Sequence, residues 1–381
     1  MTKFTIFGAL LFFVLASLLT GCSGNNYPDS SKVALKVQFQ KKSGKMVAAT
    51  AFDNISSLNL SIIPQDPAEI LSPSSASQEL TSLLRNGQSS VTIDNLGDGK
   101  TYFFKIVASN YGDNGAKAWI GSNLATLNSN TVTPVTVTVM KNDSDAYDAA
   151  LPTYYAAARN SVASPSIDLQ VQGSGITSAT VVSATKKDTL YTLLDLFNKS
   201  ITAEISPFTA SQPLYDDGNH ADFAPKDGRF ELRLNGPHDA GDSFTFQINF
   251  TNAFGQPDIM TQTAILGSHF TEGPTWKSAN LPHQSAGADL LLSWTLPANS
   301  GENVFNDIHV NYWTPDYSVN KEVLLPATAT GFTIPGTDII DKQSYYVVIT
   351  LMRKDTSGIY NAKITSPVFS FDTTGAVSAQ W

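Results

Sequence analysis

Cysteine is almost missing: the 381 residues include one, Cys22. A single thiol cannot close an intrachain disulfide, so any folded body must be held by its cores alone. Charge is sparse as well, at 15% of residues with a formal balance of −9. The densest basic group is Lys41, Lys42 and Lys45, and nucleic acid, whose binding rests on clustered cations, is not an expected partner. Enzyme signatures are lacking too. Five histidines, His220, His238, His269, His283 and His309, are scattered with no His-x-x-x-His pair, and zinc would find no thiolate beyond the N-terminus. Ser174 in VQGSGIT has Gln172 where a nucleophile elbow requires glycine. No glycine-rich phosphate loop follows a strand and opens a helix. Paired carboxylates far apart in the chain would escape such a search, but the expectation is a non-enzymatic protein.

The chain has one long apolar run, Phe4 to Leu19, just after Lys3. It falls short of the roughly 20 residues of a membrane span and has the charged start and small-residue end of a secretory signal. It ends in Leu19-Thr20-Gly21-Cys22, which resembles the lipobox of bacterial lipoproteins. The resemblance implies cleavage after residue 21, a lipid on the Cys22 sulfur, and attachment to a membrane of the cell envelope. Several acyl chains supply the multiple signals that stable anchoring needs. Ser23 after the cysteine points, by the same resemblance, to the outer membrane, with the surface and periplasmic faces both open. Residues 22–32 read as a polar tether.

What the sequence has in quantity is strand. VALKVQFQ, SLNLSII, TYFFKIVASN, RFELRL, SFTFQINF and SYYVVITLMRK alternate apolar with polar and are rich in β-branched and aromatic residues, between Gly, Asn, Asp and Pro turns. This is an all-β pattern of short strands, expected to form sandwiches. Segment 141–165 breaks it with Ala, Asp and Tyr and reads as a linker, with a short helix expected around 156–159 and limited by Pro152. Tyr147, Tyr154 and Tyr155 are expected to pack on a neighbouring sandwich. DTLYTLLDLFN, residues 188–198, fits either a short helix or a strand pair.

Two stretches carry a family resemblance. VTIDNLGDGKTYFFKIVASNYG, with Leu96 and Tyr102, is similar to a turn and strand of fibronectin type III domains. In the last hundred residues, Trp294 and Tyr345 or Tyr346 stand where that family has its core tryptophan and late-strand tyrosine. The resemblance implies three consecutive immunoglobulin-like or fibronectin type III-like β-sandwiches, at 33–140, 166–267 and 268–381.

Within 166–267 lies an acidic segment, residues 214–230. DDGNHADFAPKDGRFEL resembles a segment of bacterial envelope immunoglobulin-like domains, with Ala221 where the pattern has glycine. Asp216, Asp217, Asn219, Asp222 and Asp227 could offer several oxygens to calcium. The spacing fails an EF-hand, because Ala221 and Gly228 fall at ligand positions. The other reading is that each Asp caps a turn and each Gly takes positive φ.

The sequence thus points to an envelope lipoprotein acting as a modular spacer, adhesin or assembly partner. The alternative is a carbohydrate-binding surface lipoprotein, with Trp313 and Tyr317 as the stacking candidates. That alternative requires both rings to be exposed side by side. Tyr312 and Trp313, adjacent on one strand, must point to opposite faces, so at least one is expected to be core.

Overall fold

The computed structural model describes residues 30–40, 55–82, 90–110, 117–128, 131–141, 153–159, 166–186, 191–194, 212–218, 220, 225–277 and 283–373. The signal, Cys22, Tyr147, Asn219 and Asp222 lie outside the described residues. The chain divides into two compact units, residues 1–150 with 251–259, and residues 151–250 with 260–381.

The first unit holds β1 (Ser30–Gln40), β2 (Ile55–Pro64), β3 (Ser77–Glu79), β4 (Ser90–Gly97), β5 (Thr101–Asn110), β6 (Lys117–Thr126) and β7 (Val132–Lys141). They form one sheet in the order β3-β2-β5-β6-β7-β1-β4. β1 lies parallel to β7, from Lys32 opposite Val132 to Gln40 opposite Met140, and antiparallel to β4. The last residues of the expected tether are therefore strand, held by ladder hydrogen bonds rather than by any apolar pattern of their own. β6 and β7 pair only at Trp119 with Lys141 and Ile120 with Met140. The sheet folds over at that seam, because Leu60 and Phe104 from one half meet Leu35 and Val137 from the other in a single core. Gly121 is needed there: a Cβ would stand 2.4 Å from the Thr138 carbonyl oxygen. Leu96 and Tyr102 are both fully buried, and the Tyr102 hydroxyl accepts the Gly97 N–H at 2.8 Å and donates to Glu69.

The second unit holds β8 (Thr153–Arg159), β9 (Ser166–Gln172), β10 (Ile176–Ala184), β11 (Thr192–Leu194), β12 (Gln212–Pro213), β13 (Arg229–Asn235) and, apart from their residues within 251–259, β14 (Ser243–Thr251) and β15 (Pro257–Ile265). It continues through β16 (Thr275–Trp276), β17 (Leu290–Thr295), β18 (Asp307–Trp313), β19 (Asn320–Pro326), β20 (Gly331–Ile334), β21 (Ser344–Lys354), β22 (Tyr360–Thr365) and β23 (Phe369–Asp372). The centrepiece is a nine-stranded sheet in the order β11-β13-β9-β8-β22-β21-β18-β19, with β23 also on β21. One half packs Leu169 and Leu232 against Val181 and Phe246 of the β12-β10-β14-β15 sheet. The other packs Val310 and Ile349 against Trp294 of the β16-β17-β20 sheet. Trp294 is fully buried and donates its indole N–H to the Ala329 carbonyl at 2.9 Å. Of the two candidate tyrosines, Tyr345 is the core one; its hydroxyl donates to the Asp338 carbonyl at 2.9 Å and accepts the Ile340 N–H at 2.7 Å.

The join between the two halves corrects the expectation of a linker with a short helix. β8 runs antiparallel to β9 and parallel to β22, with Ala362 opposite Ala158 and Lys363 opposite Arg159. Ala-rich sequence favours helix locally, but here a strand on each side satisfies the backbone groups, which a three- or four-residue helix could not do. Ala156 enters one sandwich core and Ala157 packs with Tyr155 and Met352 on the opposite face. Modules two and three are consequently not beads in a row but one body with a shared sheet. In the ambiguous 188–198 segment, the described part is β11, a strand.

Candidate functional site

Strand alternation assigns one face of the shared sheet to the two cores and leaves the other to polar residues. Arg229, Glu231 and Arg233 of β13 share that second face with Asp168, Gln170 and Gln172 of β9, His309 and Asn311 of β18, and Lys363 of β22. Such a face would ordinarily be solvated. Instead Asp168, Glu231 and Arg233 are buried, at 5%, 8% and 4% exposure.

The cause is curvature. The Arg229 Nη2 group of β13 donates to Glu322 of β19, although six strand-to-strand steps separate these strands in the sheet. In a flat sheet that would be about 29 Å, at roughly 4.8 Å per step, far beyond the reach of two side chains. The sheet is therefore curled into a trough with the charged face inside. A cavity of about 160 Å³ lies in the curl, lined among others by Tyr155, Arg229, Glu231, His309, Trp313 and Lys363. Thr153, Gln172 and Val368 of its lining are exposed and form the rim.

The charges are cross-linked. Asp168 accepts from Arg233 Nε at 2.6 Å and from its Nη2 at 3.4 Å, and pairs with Lys363 Nζ at 2.7 Å. Lys363 reaches Asp168 across β8, where the residue opposite Asp168 is the small Ala157. On the other wall, Glu322 takes Arg229 and the Nδ1 of His309, the latter at 2.7 Å, while His309 Nε2 lies 3.2 Å from the Tyr360 hydroxyl. That hydroxyl donates to Asp307 at 2.8 Å, and Lys354 pairs with Asp307 at 2.6 Å. Burial works against the charge on Glu322, but the His309 hydrogen bond and the Arg229 charge outweigh it and hold the carboxyl at about 2.

Glu231 behaves oppositely. Burial pushes its carboxyl up to about 7, and Asp168 adds to the rise against the opposing pull of Lys363, Arg229 and Arg233. It lies opposite Gln170 on β9, and its carboxylate forms no hydrogen bond or ion pair among the described residues. The Arg229 Nε is also buried, with no partner among the described residues. Of the two, Glu231 is the acceptor that lines the trough.

The sequence-based candidates fall elsewhere or change character. Trp313 lines the trough but is only 7% exposed, with its ring 5.7 Å from Tyr346; Tyr317 is half-buried on a turn at φ 54°. The exposed pair required for sugar stacking is thus not formed, because the curl covers Trp313. Tyr312 is the core member of its pair. Tyr154 packs on a core and Tyr155 is buried in the trough wall. In the acidic segment, the Asp216 carboxylate accepts the N–H groups of Asp227 and Gly228, both at 3.1 Å. Asp217 accepts the His220 N–H at 3.2 Å and lies 2.7 Å from its Nδ1, and Asp227 accepts the Arg229 N–H at 2.9 Å. Gly218 and Gly228 have φ of 74° and 81°. All three described aspartates are therefore capping turns, and among the described residues no three His, Cys, Asp or Glu side chains gather as a metal would require. The segment still bears on the trough, since its last turn delivers Arg229 to β13.

Sequence reasoning missed Asp168, Glu231, Arg233, Glu322 and Lys363 as a group. Their shared parity in SIDLQVQ and RFELRL was a signal for a common face, but nothing in either segment announces the curl.

No protein-family model matches the chain, and no curated protein matches it. Among solved structures, it is similar to the FN1–FN3 domains of chicken CNTN1, with 10% identity, 84% of this chain and 89% of that one covered, and a TM-score of 0.21. It is also similar to BcpA, the major pilin subunit of Bacillus cereus, with 12% identity, 89% and 95% covered, and a TM-score of 0.18.

Proposed function

We propose that this chain is a non-enzymatic lipoprotein of the bacterial cell envelope, anchored through Cys22 in the outer membrane and acting as a spacer, adhesin or assembly partner. The observation that carries this reading is the fusion of two sandwiches through β8 into one nine-stranded sheet. A shared sheet resists the hinge motion that is the default between linked domains, which suits a body that holds a binding surface away from a bilayer. The tyrosine hydroxyls that tie Tyr102 and Tyr345 back to upstream backbone are features of immunoglobulin-like sandwiches, whose loops and strand edges commonly make partner contacts. The non-enzymatic reading is supported by the pairing of Asp168 and Glu322, each held by two cationic or hydrogen-bonding partners.

The test is mass spectrometry of the N-terminal peptide together with membrane fractionation of the parent and Cys22→Ala. The parent should carry a diacylglycerol thioether on Cys22 and sediment with the outer membrane, whereas the variant should not. An unmodified Cys22, or identical fractionation of the two, would overturn the anchor. Protease treatment of intact cells then separates outward display, which favours an adhesin, from a periplasmic face, which favours an assembly partner.

A further inference from the structure

The trough in the second unit carries chemistry that spacing and display do not use. Its floor is built rather than incidental: Asp168 and Arg233 are locked together, and Glu322 closes the opposite wall through Arg229. Three cationic side chains, Arg229, Arg233 and Lys363, face Asp168, Glu322 and Glu231, so the charges balance when Glu231 is ionised and differ by one when it is protonated. An ion entering this space would bring an uncompensated charge into a desolvated site, which is costly. A neutral guest would not.

One group remains for a guest to satisfy. The Glu231 carboxylate, 8% exposed, lines the cavity without a hydrogen-bond or ion-pair partner among the described residues. Buried polar groups without partners are uncommon and mark a place for water or a ligand. Gln172, His309 and Asn311 add further polar groups to the lining, and the rings of Tyr155 and Trp313 supply flat apolar wall. At about 160 Å³ the cavity is comparable to one that accommodates a six-membered ring. An apolar ring would strand Glu231.

We infer that the trough binds a single neutral, hydroxyl-bearing ring, one sugar unit or a cyclic polyol of that size, with a ligand hydroxyl donating to Glu231. This goes beyond the spacer or interaction role, which would stand unchanged if the trough bound nothing; lipidation and sugar binding fail or succeed separately. It also differs from the exposed Trp313 and Tyr317 platform, since the recognising group is buried and polar. For a ligand of this size a dissociation constant in the millimolar range is expected.

The test uses the purified full-length protein in a detergent without a sugar head group, with saturation-transfer NMR against D-glucose, D-galactose, D-mannose and N-acetyl-D-glucosamine. Glucuronate and glucosamine serve as charged controls. At least one neutral sugar should give saturable transfer with a millimolar dissociation constant, and the charged analogues should bind at least tenfold more weakly. Glu231→Gln should weaken binding about tenfold or more while its thermal midpoint at neutral pH is equal to or above that of the parent, which separates loss of a ligand contact from loss of the fold. Absence of transfer from all four neutral sugars, equal binding by Glu231→Gln, or tighter binding of a charged analogue would each overturn the inference.

Discussion

Replacing Glu231 by Gln should make the protein more stable, and by an amount that depends on pH. The carboxyl is pushed from its ordinary 4.5 to about 7, chiefly by burial. Each tenfold change in proton affinity corresponds to about 1.4 kcal/mol, so the rise amounts to about 3 kcal/mol. The folded state holds this proton more tightly than the unfolded state does. Its contribution is therefore complete below about pH 4.5 and is lost as pH climbs through 7. Above that, the parent carries an ionised, desolvated carboxylate that the cations of the trough only partly compensate. Glutamine keeps the shape and stays neutral at every pH. The variant and parent should therefore unfold together near pH 4, and at pH 8 the variant should be more stable by about 3 kcal/mol. For a domain of this size that is a rise in thermal midpoint of roughly 6–12 °C. Calorimetry or denaturant unfolding of both proteins across this range provides the measurement. A constant difference at all pH values, or a parent that gains on the variant as pH rises, would show that Glu231 is not the desolvated group the curled sheet makes it.

Removing the Asp168 carboxylate with Asp168→Ala should cost about 3–5 kcal/mol, because it takes the carboxylate partner from the buried Arg233 and from the partly buried Lys363; a loss under 1 kcal/mol in urea unfolding would contradict the burial of the Asp168–Arg233 pair. Asp216→Ala strips the acceptor from two backbone N–H groups and should lower stability by about 1 kcal/mol equally in calcium and in EDTA. A loss confined to the calcium buffer would make the acidic segment a metal site instead of a capped turn. Gly121→Ala places a methyl 2.4 Å from the Thr138 carbonyl oxygen and should cost about 1–3 kcal/mol in the first unit, where an unchanged thermal midpoint would mean that the β6 and β7 seam can open without penalty.

Much of the architecture was present in local pattern. Alternation in TYFFKIVASN, SFTFQINF and SYYVVITLMRK placed Tyr102, Phe104, Phe246 and Val347 on buried faces, because a strand with one face in a core must repeat every two residues. Trp294 and the pair Tyr345 and Tyr346 were marked by the fibronectin type III resemblance, and only the fold shows that Tyr345 is the core member. The capping roles of Asp217 and Asp227 were also foreseeable, since each is made within three residues, whereas Asp216 closes a longer loop by accepting the N–H groups of Asp227 and Gly228. β8 was not. Its identity as a strand depends on β9 and β22, and β22 lies about two hundred residues downstream.

The trough belongs wholly to tertiary structure. That Arg229, Glu231 and Arg233 share a face follows from spacing, as it does for Asp168, Gln170 and Gln172. Whether that face is wet or dry depends on how many strands the sheet has and how far it curls, and both are set when β8 joins the two sandwiches and Arg229 meets Glu322. The sequence by itself determined strand, turn and core, which arise from interactions among near neighbours. Desolvation of Glu231 was decided only by folding, because a charge becomes buried through the arrival of residues far from it in the chain.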